Sequence, residues 1–285
     1  MGTVQNAPNA RIALVLPKGA RWHWDGWTLG SLILASLALI PVASVVYLSL
    51  QPSIGIWRHL LETSLPVYIK NTLALMGGVG ICVLVTGLAT AWLVTMCRFP
   101  GRKFFEWLLL LPLAIPAYVM AYAYTDLLEY SGPVQTSLRG LFGWQTASDY
   151  WFPEIRSLGG AVGLMGLVLY PYVYLLARSA FLEQSVNILE VSRVLGRGPW
   201  RTFFTVSLPG ARPAISVGLA LALMETLNDY GTVDFFAVPT MTAGIIDVWL
   251  GMGSLAGGSQ IAALMLLFVV LLISLEQFSR RRRRY

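Results

Sequence analysis

Charge-free runs alternate with short polar stretches along the chain, and the lengths of the runs set the first expectation. Residues 27–50 carry no charge and are long enough to cross about 30 Å of hydrocarbon. Residues 71–97 lie between Lys70 and Arg98, residues 107–125 between Glu106 and Asp126, and residues 157–177 between Arg156 and Arg178. A run at 259–275 stops at Glu276. One more begins at Pro213, meets Glu225 and continues to about Phe236, and it reads as a span with functional residues inside it. The pattern predicts an all-α membrane protein with six transmembrane helices.

Basic residues give these spans a direction. With the N-terminus inside, Arg11, Lys18 and Arg21 fall on the cytoplasmic side, as do Arg98, Arg102 and Lys103. So do Arg178, Arg193, Arg197, Arg201 and Arg212, and the run at 280–284, while Arg58, Lys70, Arg139 and Arg156 stay outside. This asymmetry follows the positive-inside tendency and places both termini in the cytoplasm. The chain divides into a cytoplasmic N-terminal segment (1–26), a transmembrane domain (27–277) with an inside loop at 182–212, and a basic tail (278–285).

Composition agrees. Hydrophobic residues make up 56% of the chain and charged residues 12%, with a mean hydropathy of +0.66. That charged share is about half of what a soluble domain carries, too little to clothe a water-exposed surface. The formal net charge of +6 therefore reads as topology, and the arginine run at 280–284 as an anchor to anionic lipid rather than a nucleic-acid patch. Cys82 and Cys97 would stand about 22 Å apart on one helix, too far for a bridge. No Cys-x-x-Cys occurs, which removes zinc and disulfide frameworks. His23 and His59 stand alone in flanking segments, and residues 1–26 have no secretory cleavage pattern.

The inside loop has a different texture. Ile188, Val191 and Leu195 recur at helical spacing, Gly196 and Gly198–Pro199 provide a stop, and Leu208–Pro209 is expected to break the chain before the next span. These features alone predict an interfacial amphipathic helix. The finer spacing resembles the EAA loop of ABC importer permeases: Glu-Ala-Ala, three residues, Gly, nine residues, Ile, one residue, Leu-Pro. Glu190, Gly196, Leu208 and Pro209 fall in register, with Val191 and Ser192 at the usual alanines and Val206 at the isoleucine. The resemblance implies a type I importer permease fold in a bacterial inner (plasma) membrane. It makes Glu190, Val191, Ser192, Gly196, Leu208 and Pro209 the contact to cytoplasmic ABC ATPase subunits. It further implies a periplasmic substrate-binding protein and a second permease half, supplied by the same chain, a sister chain or a fused repeat. No G-x-x-x-x-G-K-[ST] loop is present, so the chain is expected to be a transport subunit and not an enzyme. It should bind no cofactor, with ATP and magnesium held on the partner.

Three stretches extend the resemblance toward ferric-iron permeases: residues 118–126, 169–178 and 225–236. Thiamine, polyamine and sulfate permeases of the same family are the alternatives. On one helix Glu225 and Asp229 would stand about 40° apart with Asn228 beside them. A charge at mid-membrane costs about 2.5–3.5 kcal/mol on insertion scales, so these acids should face the bundle interior or a water-filled path. With Tyr230 they offer oxygen donors for a hard cation, or they pair with a cation or cap a broken helix. Tyr118, Tyr122 and Tyr124 form either part of an outer aromatic belt or a contact with cargo or a binding protein, and Tyr118, Tyr122 and Asp126 are the weaker candidates for the transport path. No metal site is assigned. The resemblance further implies that residues 129–156 and 238–259 face the binding protein. A secondary transporter driven by an ion gradient is the rival from another class. It accounts for the intramembrane acids but not for the loop spacing. The chain is expected to be either a standalone half or the first half of a longer permease.

Overall fold

The computed structural model describes residues 25–184, 190–192, 194–196 and 198–281, with the side chains of residues 54, 272 and 275–281 left aside. The N-terminal segment up to residue 24, Ile188, Arg193, Arg197 and residues 282–285 lie outside the described residues. The chain divides into two units, Met1–Ser44 and Val45–Tyr285. Helix α1 (Gly26–Ser49) begins in the first and carries no buried residue.

The second unit is built on α3 (Leu65–Met96), α7 (Leu158–Leu182) and α8 (Pro199–Asn228). Of these α7 is the most enclosed, with 61% of its apolar window buried against 39% for α3. Val79, Val83, Leu164, Met165, Val168, Val173, Tyr174, Phe181, Ile215 and Ala222 form the shared core. Small residues let the backbones approach, as is usual where lipid supplies no hydrophobic drive between helices. A Cβ on Gly218 would stand 2.8 Å from both the Tyr172 oxygen and Val173 Cα, and one on Gly87 would stand 2.8 Å from Val173 Cβ. Helix α2 (Ile54–Glu62), the start of α3, α10 (Met241–Gly251) and α11 (Leu255–Arg281) enclose a second cluster around Leu60, Tyr68, Leu227, Val248 and Ile261. Ser53 Oγ and Trp57 Nε1 both donate to Gln260 Oε1 there.

The expected third span is not a straight helix. It consists of α4 (Arg102–Leu108), a 3₁₀ turn (Leu111–Ala114) and α5 (Ala117–Leu128), and the chain bends by 98° between Arg102–Ala114 and Ala117–Phe142. Pro112 and Pro116 explain the break: neither can donate a backbone hydrogen bond, and Ile115, preceding a proline, is extended (φ −118°, ψ 126°). Two tyrosines of α7 take up carbonyls at this break. Tyr170 OH donates to Leu109 O at 2.8 Å, and Tyr174 OH to Glu106 O at 3.2 Å. In this way helix-breaking prolines are tolerated inside a membrane bundle. Among the described residues, four helices are long and apolar enough to span a membrane, or five if the bent pair counts as one. The expected runs at 27–50, 71–97 and 157–177 fall on α1, α3 and α7, and that at 107–125 on the bent α4–α5 pair. The run from Pro213 to Phe236 is divided at Asn228, and that at 259–275 falls on α11, whose apolar stretch Leu255–Leu271 is shorter than the spanning helices.

Candidate functional site

At one end of the core, Glu190, Val191, Ser192 and Val194 are helical, and Leu195 N–H closes a turn on Val191 O at 3.0 Å. Gly196 ends the turn with φ +73°, the left-handed position that glycine adopts without a Cβ penalty. Gly198 is extended, and Pro199 starts α8 at a position where its missing N–H is harmless. Val191, Val194, Leu195, Trp200 and Phe204 are exposed. Three neighbours turn inward instead. Ser192 and Thr202 are buried, their hydroxyls 2.9 Å apart, and Phe203 sits in a ring cluster 4.6 Å from Trp92 and 6.3 Å from Phe181.

The chain does not break at Leu208–Pro209 as expected. The helix runs on from Pro199 to Asn228 and absorbs the proline by widening into a π turn at Phe203–Ser207. Leu208 N–H reaches back to Phe203 O, five residues away, and Pro209 has no N–H to continue the α ladder. Both residues are half-buried. Gln184, two residues past α7, donates its Nε2 to Ser207 O at 2.8 Å. Sequence reasoning gives Gln184 and Ser207 no role, because neither a glutamine nor a serine has spacing that marks a contact across two helices. It also missed the ion pairs of Glu106 with Arg178 (3.1 Å) and Arg102 (3.5 Å).

At the other end of α8 the helix stops at Asn228, so Glu225 and Asp229 do not share a helical face. Asp229 has ψ 102° and caps α9 (Tyr230–Phe235): its Oδ1 accepts from Thr232 N at 2.8 Å and its Oδ2 from Thr232 Oγ1 at 2.6 Å. Glu225 and Asn228 are exposed. Tyr68 OH donates to Asp247 at 3.1 Å. Tyr118 packs on Gly231, where a Cβ would lie 3.0 Å from Tyr118 Cβ, and the Tyr122 ring is 5.9 Å from that of Phe235. Both tyrosines and Asp126 are exposed. Among the described residues no three His, Cys, Asp or Glu side chains gather into a group that could hold a metal ion.

The loop between α5 and α7 folds on itself around α6 (Pro133–Phe142). Phe142, Trp144 and Tyr150 stack at 4.8 and 4.7 Å, and the Arg139 guanidinium lies 4.0 Å over the Tyr130 ring. Arg139 Nη1 donates to Tyr150 OH at 3.0 Å, Tyr150 OH to Gln135 Oε1 at 2.5 Å, and Gln135 Nε2 to Leu128 O at 2.7 Å. Asp149 accepts from Thr146 N and Gln145 N, both at 2.8 Å. These hydrogen bonds, Thr146's first, hold its carboxyl below the usual carboxylate range. Arg156 pairs with Glu129 at 2.7 Å and lies 4.9 Å over Phe235, tying the loop to α9.

Known proteins agree with this picture. Residues 83–285 match the model of the binding-protein-dependent transport system inner membrane component family. The molybdenum transport system permease protein ModB of Escherichia coli is 31% identical over 206 residues, covering 69% of this chain and 86% of its own length. The sulfate transport system permease protein CysT of Escherichia coli is 28% identical, covering 72% of each. The Fe(3+)-transport system permease protein FbpB 2 of Haemophilus influenzae is 26% identical over 74% of this chain, and the match spans 37% of that longer protein. Among solved structures, a chain of a bacterial ABC transporter that imports the acidic polysaccharide alginate superposes with a TM-score of 0.72. It covers 91% of this chain and 96% of its own at 17% identity. The chain belongs to the binding-protein-dependent transport system inner membrane component family and has its all-helical type I permease fold; it is a multi-pass membrane protein and a permease subunit of an ABC importer.

Proposed function

We propose that this permease lies in the bacterial inner membrane with six spans and both termini in the cytoplasm, and that residues 190–209 are its coupling segment. A separate ATPase subunit, holding ATP and magnesium, docks on that segment, a periplasmic binding protein delivers cargo outside, and a second permease half completes the pore. The observation that supports this most is the division of labour within the segment. Val191, Val194, Leu195, Trp200 and Phe204 are exposed while Ser192, Thr202 and Phe203 fasten it to the core. A short helical turn tied through Ser192 and Thr202 to the start of a 30-residue helix can turn a push at the cytoplasmic surface into movement of the bundle.

The test is a charge reversal, Glu190→Lys, and Gly196→Pro, which forces φ to about −65° where the chain needs +73°. Cargo uptake and its stimulation of ATP hydrolysis should fall on the order of tenfold or more. Normal values for both in both variants would overturn the assignment.

For cargo, small inorganic oxyanions come first. The support is the order of identity over alignments of similar length, 31% to the molybdenum permease, 28% to the sulfate permease and 26% to the ferric one. Ferric iron is the second reading, favoured by the oxygen donors Glu225, Asn228, Asp229 and Tyr230 at the outer end of α8. It ranks lower because both Asp229 oxygens already accept from Thr232. ATPase stimulation of the reconstituted complex by molybdate, sulfate, ferric iron, thiamine and polyamines separates them. A response to ferric iron alone would reverse the order.

A further inference from the structure

Where α7 ends and α8 begins, one hydrogen bond is made and the two halves of a second stand unused. Gln184 Nε2 holds the Ser207 carbonyl at 2.8 Å. The other amide atom, Gln184 Oε1, is buried without a partner, and so is Ser207 Oγ, on a residue with no exposed surface. One is an acceptor and the other can donate. They belong to the same two residues that already touch. Gly210 leaves room for the amide, since a Cβ there would lie 3.2 Å from Gln184 Nε2.

The backbone at this point can change register. Ser207 closes the π turn, and Pro209 and Pro213 each remove an N–H from the ladder just beyond it. A π turn holds one residue more than an α turn. Passing that residue along the helix rotates the stretch in between by about 100° and shifts it by about 1.5 Å. Below the turn lie Thr202 and the anchored coupling segment. Above it Gly218 pins α8 to the α7 backbone.

We propose that Gln184 and Ser207 form a two-position latch that sets the register of α8 against α7. In the position seen here the amide nitrogen grips the Ser207 carbonyl. When the coupling segment is driven and the π turn moves, Ser207 Oγ–H donates to Gln184 Oε1 instead. Neither residue touches cargo or nucleotide; both are positioning residues. The inference rests on the reading of 190–209 as the coupling segment.

Amide hydrogen exchange of peptide 199–212 tests it, in the full chain assembled with its ATPase subunits in nanodiscs, nucleotide-free and trapped with ATP and vanadate. The native chain should show different protection in the two states. Ser207→Ala, which keeps the carbonyl bond, should match it nucleotide-free and exchange about fivefold faster when trapped. Gln184→Met should exchange faster in both states. Should Ser207→Ala behave as the native chain in both states, or lose protection equally in both, the latch is wrong while the coupling reading stands. A native chain whose protection ignores nucleotide overturns both.

Discussion

The loop at residues 129–157 and the segment at residues 190–210 with the adjoining Gln184, outer and inner in the proposed topology, connect neighbouring helices of one bundle, yet they are completed differently. Outside, Arg139, Tyr150, Gln135 and the Leu128 carbonyl form a closed chain of hydrogen bonds, and Asp149 caps its own turn. Inside, Ser207 Oγ and Gln184 Oε1 are buried without partners. Exposure does not separate the two regions, since Trp151 is 86% exposed outside and Val194 86% inside. The orphaned polar atoms do. Each such group costs about 1–3 kcal/mol, which a loop built only to connect helices has no reason to carry. The outer loop is finished as it stands, whereas the inner one is finished by another position of α8 or by a partner.

The comparison assumes that both ends hang on one rigid middle, and the largest expected effect comes from removing it. Gly218→Leu would drive a side chain into the α7 backbone, where the nearest atoms are carbonyl oxygen and Cα rather than a movable side-chain tip. Stability should fall by about 3 kcal/mol, the upper end for overpacking, read as thermal unfolding in detergent. Gly77→Ala is the matched control. Nothing lies within 4 Å of a Cβ there, and an alanine inside a helix should stabilise by about 0.5–1 kcal/mol. Equal losses from the two variants would show that close approach at Gly218 is not what joins α7 to α8.

A smaller effect is expected where α8 stops. Asp229→Ala removes the acceptors of Thr232 N and Oγ1 and should cost about 1 kcal/mol, as for other N-caps. Asp229→Asn should recover most of that, because an amide oxygen caps nearly as well. Stability restored by asparagine with uptake still lost would show that the charge itself serves transport. Stability and uptake recovering together would leave capping as the whole role.

Much of this architecture was legible because membranes impose long apolar runs, and the loop spacing was legible because Gly196 needs a left-handed backbone that few residues adopt. Local order at Asp229 was not. Spacing alone placed Glu225 and Asp229 on one face, but a short acid that can bond the backbone three residues on competes with helix continuation. Pro209 misled in the opposite direction: read as a break, it sits in a continuous helix because a π turn moves the ladder by one residue. The charge-free run at 107–125 gave no measure of the bend at Pro112 and Pro116. The tyrosines that satisfy its carbonyls come from a helix about 60 residues away in sequence, which no local pattern reveals.

The smallest effect tests the self-sufficiency of the outer loop. Asp149 is fully exposed, and its carboxyl is held below its ordinary value of 3.8 by the Thr146 and Gln145 amides. A depressed folded value means that the carboxylate stabilises the loop at any pH above the unfolded value. That contribution fades as pH falls through the lower, folded value. Trp144, stacked at 4.7 Å on Tyr150 next to Asp149, reports the change by fluorescence. Its signal should hold steady down through pH 3.8 and move only below it, while Asp149→Asn should remove the transition. A transition at or above the ordinary carboxylate value would mean that the turn is not closed by its own amides. The outer loop would then, like the inner segment, depend on something outside itself.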